Sequence, residues 1–274
     1  MNIGQALSLR GDPDSYERQE ATWLLEHILG LGALALKMRS IQILSHAEEQ
    51  TYLDGLMRLS KGEPLAYVIG SQPFWSLDLN VTTDTLVPRP DTEILVETVL
   101  GLELPHALSM VDLGTGTGAI ALSLAKERPH WQVLATDIYH PTLDVAKSNA
   151  AKHELIHVQF LCSAWFDAIP AQKFDLIVSN PPYIDADDMH MQDLATEPRR
   201  ALVAAEQGLS DLREIIVQGK QWLNSQGWIV LEHGYDQAQA VQAIFAEENF
   251  SQIKTVQDYG NNDRVTLAQW LVNK

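Results

Sequence analysis

The stretch DLGTGTGA at residues 112–119 decides the fold of the chain. It begins inside Met110–Leu113, a run of mostly apolar residues that is typical of a buried strand, and it leads into the helical pattern Ile120–Glu127. Glycine lets a backbone approach a ligand closely, and the first turn of a helix offers unpaired N–H groups. The stretch also matches the dinucleotide-binding pattern G-x-G-x-x-[GA]. It therefore predicts a ligand-binding loop between a strand and a helix, and it leaves the ligand open.

Strand-like runs alternate with helical stretches on the carboxyl side of this loop. Five runs are separated by helical patterns, and the last two follow one another without a helix between them. The predicted strands are Met110–Leu113, Gln132–Thr136, His157–Leu161, Phe174–Ser179, Trp228–Leu231, Ile253–Val256 and Val265–Trp270. This pattern predicts an α/β fold with a mostly parallel sheet, helices on both faces and a closing hairpin.

The amino-terminal part of the chain has a different texture. Residues 17–60 repeat leucine, isoleucine and alanine at helical spacing, with interruptions at Gly30 and Gly32. Residues 68–81 alternate apolar and polar positions around turn residues, as a hairpin does. Asp91-Thr92-Glu93 then offers capping groups for a helix over residues 94–100. The sequence predicts a helical domain over 1–75, a hairpin linker over 76–92 and a second domain over 93–274.

Composition narrows the class of protein. The chain has 274 residues, 46% of them hydrophobic, and no apolar run of the ~18 residues that a membrane span needs. The amino terminus lacks the basic and apolar regions of a signal peptide, and the single cysteine, Cys162, fits a reducing compartment. We therefore expect a cytoplasmic protein. A formal charge of −17 disfavours a nucleic-acid partner unless basic residues gather on one face.

Asp137 ends the second predicted strand, 21 residues after Gly116. A carboxylate at that place can accept two hydrogen bonds from a ribose diol, which both NAD and S-adenosylmethionine carry. The alternative role is a helix cap, because Pro141 marks the start of a new helix. Asp112 can equally face a cofactor or cap the loop, and the sequence does not decide between the two.

The motif Asn180-Pro181-Pro182-Tyr183 follows the fourth strand directly, at the carboxyl edge of the predicted sheet. An amide or aromatic amine nitrogen is a poor nucleophile because its lone pair is delocalised, so both of its hydrogens must be held. The Asn180 side-chain oxygen and the Pro181 carbonyl can each accept one hydrogen, and Tyr183 can pack against the planar group. The motif therefore predicts alkylation of such a nitrogen.

With these motifs the chain resembles the peptide chain release factor glutamine N5-methyltransferases of the PrmC/HemK type. The resemblance extends over nearly the whole chain. It also includes the segments GEPLAYVIG at 62–70, LVPRPDTE at 86–93, Glu197-Pro198 before Ala201-Leu202, Asp258-Tyr259-Gly260 and Asp263-Arg264-Val265. One segment departs from the family pattern, since residues 205–209 read AEQGL where the family often has Gly-x-Asp-Gly-Leu.

The resemblance implies a class I S-adenosylmethionine-dependent methyltransferase: a seven-stranded, mostly parallel, Rossmann-like sheet with a small helical amino-terminal domain that helps to bind a release factor. The substrate implied is the glutamine amide of a Gly-Gly-Gln tripeptide. Its cofactor positions match Gly114, Thr115, Gly116, Thr117, Gly118, Asp137, Trp165 and Asn180. Its substrate loop matches Asn180, Pro181, Pro182 and Tyr183, and the catalytic positions are Asn180, Pro181 and Tyr183. Without the resemblance, the sequence alone would predict that Trp165 is a core residue.

We therefore expect a cytoplasmic, monomeric enzyme that methylates release factors and binds neither membrane nor nucleic acid. The alternatives are an amino-methyltransferase acting on a DNA or RNA base, and a non-catalytic adaptor that docks on a translation factor. An NAD-dependent oxidoreductase lacks a hydride-transfer constellation in this sequence. We expect no metal site, because the nine histidines show no ligand spacing and His190 reads as part of a solvated loop.

Overall fold

The computed structural model describes residues 1–188, 191, 194 and 196–271, and the chain divides into two compact units. The first unit, Met1–Ser71, is helical. Gly30 ends the second helix in the left-handed conformation at φ 61°, and Gly32 is the N-cap of the third, so the two glycines separate helices as predicted. The helices are α1 Ile3–Leu7, α2 Tyr16–Leu29, α3 Ala33–Met38, α4 His46–Ser60 and α5 Leu65–Ile69.

Close packing of α2 on α4 builds the core of this unit. A Cβ added to Gly55 of α4 would lie 2.6 Å from the side chain of Leu24 on α2, so only glycine allows the two helices to come so near. Tyr52 is fully buried, and its hydroxyl donates to the carbonyl of Ala6 at 3.2 Å. The amino-terminal helices therefore have their own apolar core.

A hairpin opens the second unit, which comprises Gln72–Lys274. Its strands are β1 Ser71–Phe74 and β2 Leu77–Asn80, and a 3-10 turn over Pro90–Thr92 precedes α6, Glu93–Leu100. The predicted capping of α6 is wrong, because Thr92 already has helical dihedral angles and makes no side-chain cap. Its hydroxyl instead accepts a hydrogen bond from Asn180.

The remaining strands form one seven-stranded sheet in the order β5-β4-β3-β6-β7-β9-β8. All neighbours are parallel except the pairs that β9 makes, so the predicted mostly parallel α/β fold is confirmed. The third predicted strand begins at Gln159 instead of His157, because Val158 closes a turn onto the carbonyl of Leu155. The strands are β3 Ser109–Leu113, β4 Gln132–Asp137, β5 Gln159–Cys162, β6 Phe174–Ser179, β7 Leu223–Glu232, β8 Ser251–Gln257 and β9 Asp263–Gln269.

Helices cover both faces of this sheet. Apolar side chains of α6 and α7 pack on one face, and those of α10 and α11 pack on the other. The helices of this unit after α6 are α7 Ala119–Glu127, α8 His140–Lys152, α9 Ala205–Gly208, α10 Ser210–Trp222 and α11 Ala238–Glu247. Across the described ranges we find no helix with the length and apolar character to cross a membrane.

The strand order reverses at β3, which pairs with β4 on one side and with β6 on the other. Leu113 and Ser179 are paired at the carboxyl ends of β3 and β6, and the Ser179 hydroxyl donates to the Leu113 carbonyl at 2.6 Å. Ligands of open α/β sheets bind at such a switch point. The glycine loop follows one of these strands and Asn180–Tyr183 follows the other, so the fold brings the two motifs together.

Candidate active site

The glycine loop turns from β3 into α7 through three left-handed glycines. Gly114, Gly116 and Gly118 have φ angles of 69°, 57° and 86°. A Cβ on Gly118 would lie 2.8 Å from Leu122, so this glycine is needed for the packing of the helix start. A Cβ on Gly116 would meet no atom within 4 Å, so the backbone there is open to a ligand.

Asp112 lies beneath this loop and is fully buried. Its Oδ2 accepts from the Thr115 hydroxyl at 2.6 Å and from the Ala121 N–H of α7 at 3.2 Å. Burial raises the pKa of Asp112 to about 7, against the effect of these two hydrogen bonds. Oδ1 has no hydrogen-bond partner among the described residues. The structure therefore shows Asp112 tying the loop to the helix, with one acceptor unused.

Asp137 ends β4 beside the loop. Its Oδ2 accepts from the Gly116 N–H at 3.1 Å, and its Oδ1 accepts from the Tyr139 N–H at 3.0 Å. Tyr139, the N-cap of α8, has no side-chain capping bond, and Asp137 itself lies before the cap position. Burial raises the pKa of Asp137, while the backbone hydrogen bonds lower it. Each carboxylate oxygen keeps a lone pair for a further donor.

Trp165 follows β5 with a left-handed backbone at φ 41°. Its ring lies 3.5 Å from the position of a Cβ on Gly114, so the ring edge contacts the glycine loop. The same side chain packs against the apolar cluster beneath α10 and α11. Trp165 therefore belongs partly to the apolar core and partly to the surface beside the glycine loop.

A cavity of about 320 Å³ opens above the glycine loop. Its volume falls in the range of roughly 300–1,000 Å³ that is typical of small-molecule sites. Gly118 is absent from its lining, which fits its place at the turn into α7. Of the predicted cofactor residues, the lining includes Gly114, Thr115, Gly116, Thr117, Asp137, Trp165 and Asn180.

The loop Asn180–Tyr183 separates this cavity from a second one of about 310 Å³. Asn180 lines both cavities, whereas Pro181 and Tyr183 line only the second, and Pro182 lines only the first. The Asn180 Nδ2 donates to the Thr92 hydroxyl at 3.2 Å, which leaves Oδ1 for another partner. The loop therefore presents one amide oxygen at the junction of two cavities.

Hydrogen bonds hold Tyr183 at its side-chain hydroxyl and at its backbone carbonyl. Its hydroxyl donates to Oε1 of the buried Glu232 at 3.1 Å, and burial beside that carboxyl raises the pKa of Tyr183. Its carbonyl accepts from the Gln237 side chain at 2.9 Å, and the same Gln237 Nε2 donates to the carbonyl of Gln207 at 3.1 Å. The segment 205–209, which departs from the family pattern, thus lies directly behind the loop.

Sequence reasoning missed the residues that support the loop from behind, namely Thr92, Glu232 and Gln237. Part of this support has a signal in the sequence, because Thr92 belongs to the family segment LVPRPDTE, and Glu197-Pro198 is a second such segment. Glu197 is buried, accepts from the Val87 N–H at 3.2 Å and forms an ion pair with Arg89. The segments 86–93 and 197–198 therefore contact each other at the rim of the two cavities.

Within residues 1–188, 191, 194 and 196–271, no three His, Cys, Asp or Glu side chains are grouped so that they could hold a metal ion. His190, which was predicted to lie in a solvated loop, is outside the described residues.

Comparison with known proteins defines the class first. Residues 90–208 match the methyltransferase small domain, and residues 5–70 match the PrmC N-terminal domain. A solved methyltransferase from Pyrococcus furiosus has the same fold, with a TM-score of 0.57 at 16% identity, covering 80% of this chain and 99% of that one. The protein is therefore a methyltransferase by fold and by domain family.

Curated relatives then define the family. The release factor glutamine methyltransferase of Aliivibrio fischeri is 43% identical over 98% of this chain and 95% of its own length. That of Salmonella typhimurium is 44% identical over 98% of this chain and 97% of its own length. This chain belongs to the release factor glutamine methyltransferase family.

Proposed function

We propose that this chain transfers a methyl group from S-adenosylmethionine to the side-chain nitrogen of the glutamine in the Gly-Gly-Gln tripeptide of peptide chain release factors. The observation that carries the proposal is the place of Asn180 at the junction of two cavities. One cavity has the glycine loop and Asp137 in its wall, and the other has Pro181 and Tyr183. A cofactor and a planar amide bound in them would meet at the Asn180 side chain.

The first cavity fits S-adenosylmethionine in size and in chemistry. The open backbone at Gly116 can approach the ligand, and Asp137 keeps lone pairs for the ribose hydroxyls. When bound, S-adenosylmethionine supplies an electrophilic methyl group, whose transfer leaves the bonding electron pair on sulfur while the nitrogen releases one proton to water. The residues that would hold the cofactor are Gly114, Thr115, Gly116, Thr117, Asp137, Trp165 and Asn180, while Gly118 would shape the turn into α7 behind them.

The loop Asn180–Tyr183 would prepare the amide nitrogen. Asn180 Oδ1 and the Pro181 carbonyl each accept one amide hydrogen, and two held hydrogens fix the direction of the nitrogen lone pair. Pro181 and Pro182 restrict the backbone, and the Tyr183 ring, held through its hydroxyl, packs against the amide plane. Orientation and exclusion of water are the main catalytic contributions of these residues.

Residues 1–75 would recognise the release factor, residues 76–92 would serve as the linker, and residues 93–274 would form the catalytic domain. The hairpin itself begins before the linker, at Ser71. The match of residues 5–70 to the PrmC N-terminal domain supports this division. The net charge of −17 supports a protein substrate over a nucleic acid, because phosphate backbones require concentrated positive charge. A monomeric enzyme in the cytoplasm, where translation factors are found, completes the proposal.

Incubation with labelled S-adenosylmethionine tests the function directly. We expect label in an intact release factor, mapped by mass spectrometry to the glutamine of its Gly-Gly-Gln tripeptide. A release factor with glutamate at that position is the matched control and should stay unlabelled. Label in DNA or RNA but not in the release factor would support the base-methylating alternative. Cofactor binding without label in any of these substrates would support the adaptor.

A further inference from the structure

The methionine chain of S-adenosylmethionine ends in a carboxylate, whereas the glycine loop, Asp137, Trp165 and Asn180 carry no positive charge. A carboxylate that leaves water needs a hydrogen-bonded partner, and this chain has a formal charge of −17. Among the described residues, the charged side chains that line the first cavity are Asp84, Arg89, Asp137, Arg200 and Asp211. The two arginines are therefore the candidate partners of the carboxylate.

Arg200 belongs to the end of the first cavity at Asp137. Its Cζ lies 4.3 Å from the centre of the Tyr139 ring, and its Nη2 donates to the Asp84 carbonyl at 3.0 Å. The N–H of the same Tyr139 donates to Asp137, the carboxylate that fits the ribose hydroxyls. The guanidinium of Arg200 is thus engaged at the ribose end.

Arg89 lies at the other end, where the two cavities meet. It lines both of them, as Asn180 does, whereas Arg200 lines only the first. The sulfur atom of the cofactor bears the reactive methyl group and the methionine chain together. Methyl transfer at the junction therefore brings the start of the methionine chain to the end of the cavity that holds Arg89.

The local structure fixes Arg89 and leaves part of its guanidinium free. Pro88 and Pro90 restrict the backbone on either side, and Arg89 has the extended ψ of 144° that a following proline favours. Its Nη2 donates to Oε1 of the buried Glu197, whereas Nε and Nη1 make no hydrogen bond to any residue that the structure describes. A guanidinium has five N–H groups, so Arg89 can bind a second carboxylate beside Glu197.

We propose that Arg89 binds the carboxylate of the methionine chain of S-adenosylmethionine, and that Glu197 holds the guanidinium in place for this contact. The amino group of the same chain is positively charged, so two carboxylates at Arg89 leave no large excess of negative charge. The inference rests on the proposed function, because it concerns the cofactor of that reaction.

Calorimetry with two ligands tests this assignment without turnover. S-adenosylhomocysteine has the carboxylate, and its decarboxylated analogue keeps the adenine, ribose, sulfur and amino group. In the wild type we expect S-adenosylhomocysteine to bind roughly 10- to 100-fold more tightly than the analogue, the scale of a hydrogen bond between charged groups. In Arg89→Met, which keeps an unbranched side chain but loses the charge, the two affinities should agree within about threefold.

The ratio of the two affinities separates recognition of the carboxylate from structural damage. A substitution that merely disturbs the cavity weakens both ligands and keeps the ratio. Arg200→Met should keep the wild-type ratio, because Arg200 lies at the ribose end. Arg128→Met is the matched control, since Arg128 is the C-cap of α7, at the opposite end of that helix from the glycine loop. Both of its affinities should equal those of the wild type.

Equal affinities of the wild type for the two ligands would overturn the proposal, and so would a ratio that persists in Arg89→Met. Loss of the ratio in Arg200→Met alone would assign the carboxylate to that arginine. Should Arg89→Met fail to fold, Arg89→Lys decides the question. It keeps the charge but not the forked geometry, so the ratio should fall by about threefold or more, and an unchanged ratio would overturn the proposal.

Failure of the proposed function is a distinct result. Wild-type enzyme would then leave the release factor unlabelled, while the ratio of the two affinities could still be measured and could still depend on Arg89. Conversely, an enzyme that labels the release factor but binds both ligands equally would keep the proposed function and lose this inference.

Discussion

A Cβ placed on Gly208 would lie 2.0 Å from the carbonyl oxygen of Tyr183, far closer than a non-bonded carbon and oxygen approach each other. Gly208 also has a φ of 82°, a backbone angle that residues other than glycine rarely adopt. The backbone of the segment 205–209 therefore touches the backbone of the loop Asn180–Tyr183, and only glycine permits this contact. A substitution at Gly208 must displace Tyr183 or the segment around residue 208.

Gly208→Ala should consequently impair catalysis as well as folding. We expect the free energy of unfolding to fall by about 1–3 kcal/mol and the kcat on a Gly-Gly-Gln peptide to fall by roughly 10-fold or more. Gly30→Ala is the control, since Gly30 has a similar positive φ of 61° but no atom near its Cβ position. Gly30→Ala should lower the free energy of unfolding by about 1 kcal/mol and leave kcat unchanged. Equal kcat values for the two variants would contradict the contact argument.

The amino-acid sequence predicts the strands and both loops of the candidate site, but not the side chains behind them. Alternating strands and helices, and turn residues at the strand ends, are local patterns that can be read along the chain. Tyr183 and Glu232 are far apart in sequence and meet only because β7 lies next to β6, and Thr92 is separated from its partner Asn180 by 88 residues. Strand order and long-range contacts are not encoded locally, so the sequence predicts a helix cap at Thr92 and gives no sign that Glu232 supports the loop.

Asp137→Ala should weaken cofactor binding through two losses. The variant removes the acceptor for the ribose and the hydrogen bond that holds the Gly116 N–H. We expect the affinity for S-adenosylhomocysteine to fall by roughly 1.5–3 kcal/mol, the scale of hydrogen bonds to a charged acceptor. Asp137→Asn keeps one acceptor oxygen, so its affinity for S-adenosylhomocysteine should lie between those of the wild type and the alanine variant. Calorimetry that finds wild-type affinity in the alanine variant would place the ribose contact elsewhere.

Asp112 should make the stability of the cofactor-free protein depend on pH. Its folded-state pKa of about 7 lies above its ordinary value of 3.8, so the folded protein binds more protons between these two pH values. The free energy of unfolding should therefore fall as pH rises through this window, by up to about 1.4 kcal/mol per pH unit from this group. Denaturant titrations from pH 5 to 8 should show a shallower slope for Asp112→Asn than for wild type. Identical slopes would contradict the burial argument.

Substitution of an exposed apolar residue in the amino-terminal unit tests whether this unit recognises the release factor, and it leaves the chain at full length. Ile41 and Ile156 are each 86% exposed, and they belong to the first and second unit respectively. We expect Ile41→Asp to raise KM for an intact release factor by roughly 10-fold and to leave KM for a short Gly-Gly-Gln peptide unchanged. Ile156→Asp is the matched control and should change neither value. An equal effect of Ile41→Asp on both substrates would indicate a structural role for this surface.

Asn180 is the residue on which the proposed chemistry depends most. Its Nδ2 is engaged by Thr92, so its Oδ1 is the group available to hold an amide hydrogen of the substrate. Asn180→Ala removes this acceptor, and the glutamine nitrogen keeps its lone pair in conjugation. The single-turnover rate at saturating cofactor should then fall by roughly 100-fold or more.

Asn180→Asp separates acceptance of that hydrogen from the other properties of the amide. The carboxylate can still accept the substrate hydrogen, but it cannot donate to Thr92, and it adds a negative charge beside the sulfonium. Tighter binding of S-adenosylmethionine than of S-adenosylhomocysteine should follow from this charge, together with a rate between those of the wild type and the alanine variant. If the alanine variant instead reacts within a few-fold of wild type, Asn180 neither orients the amide nor limits the transfer.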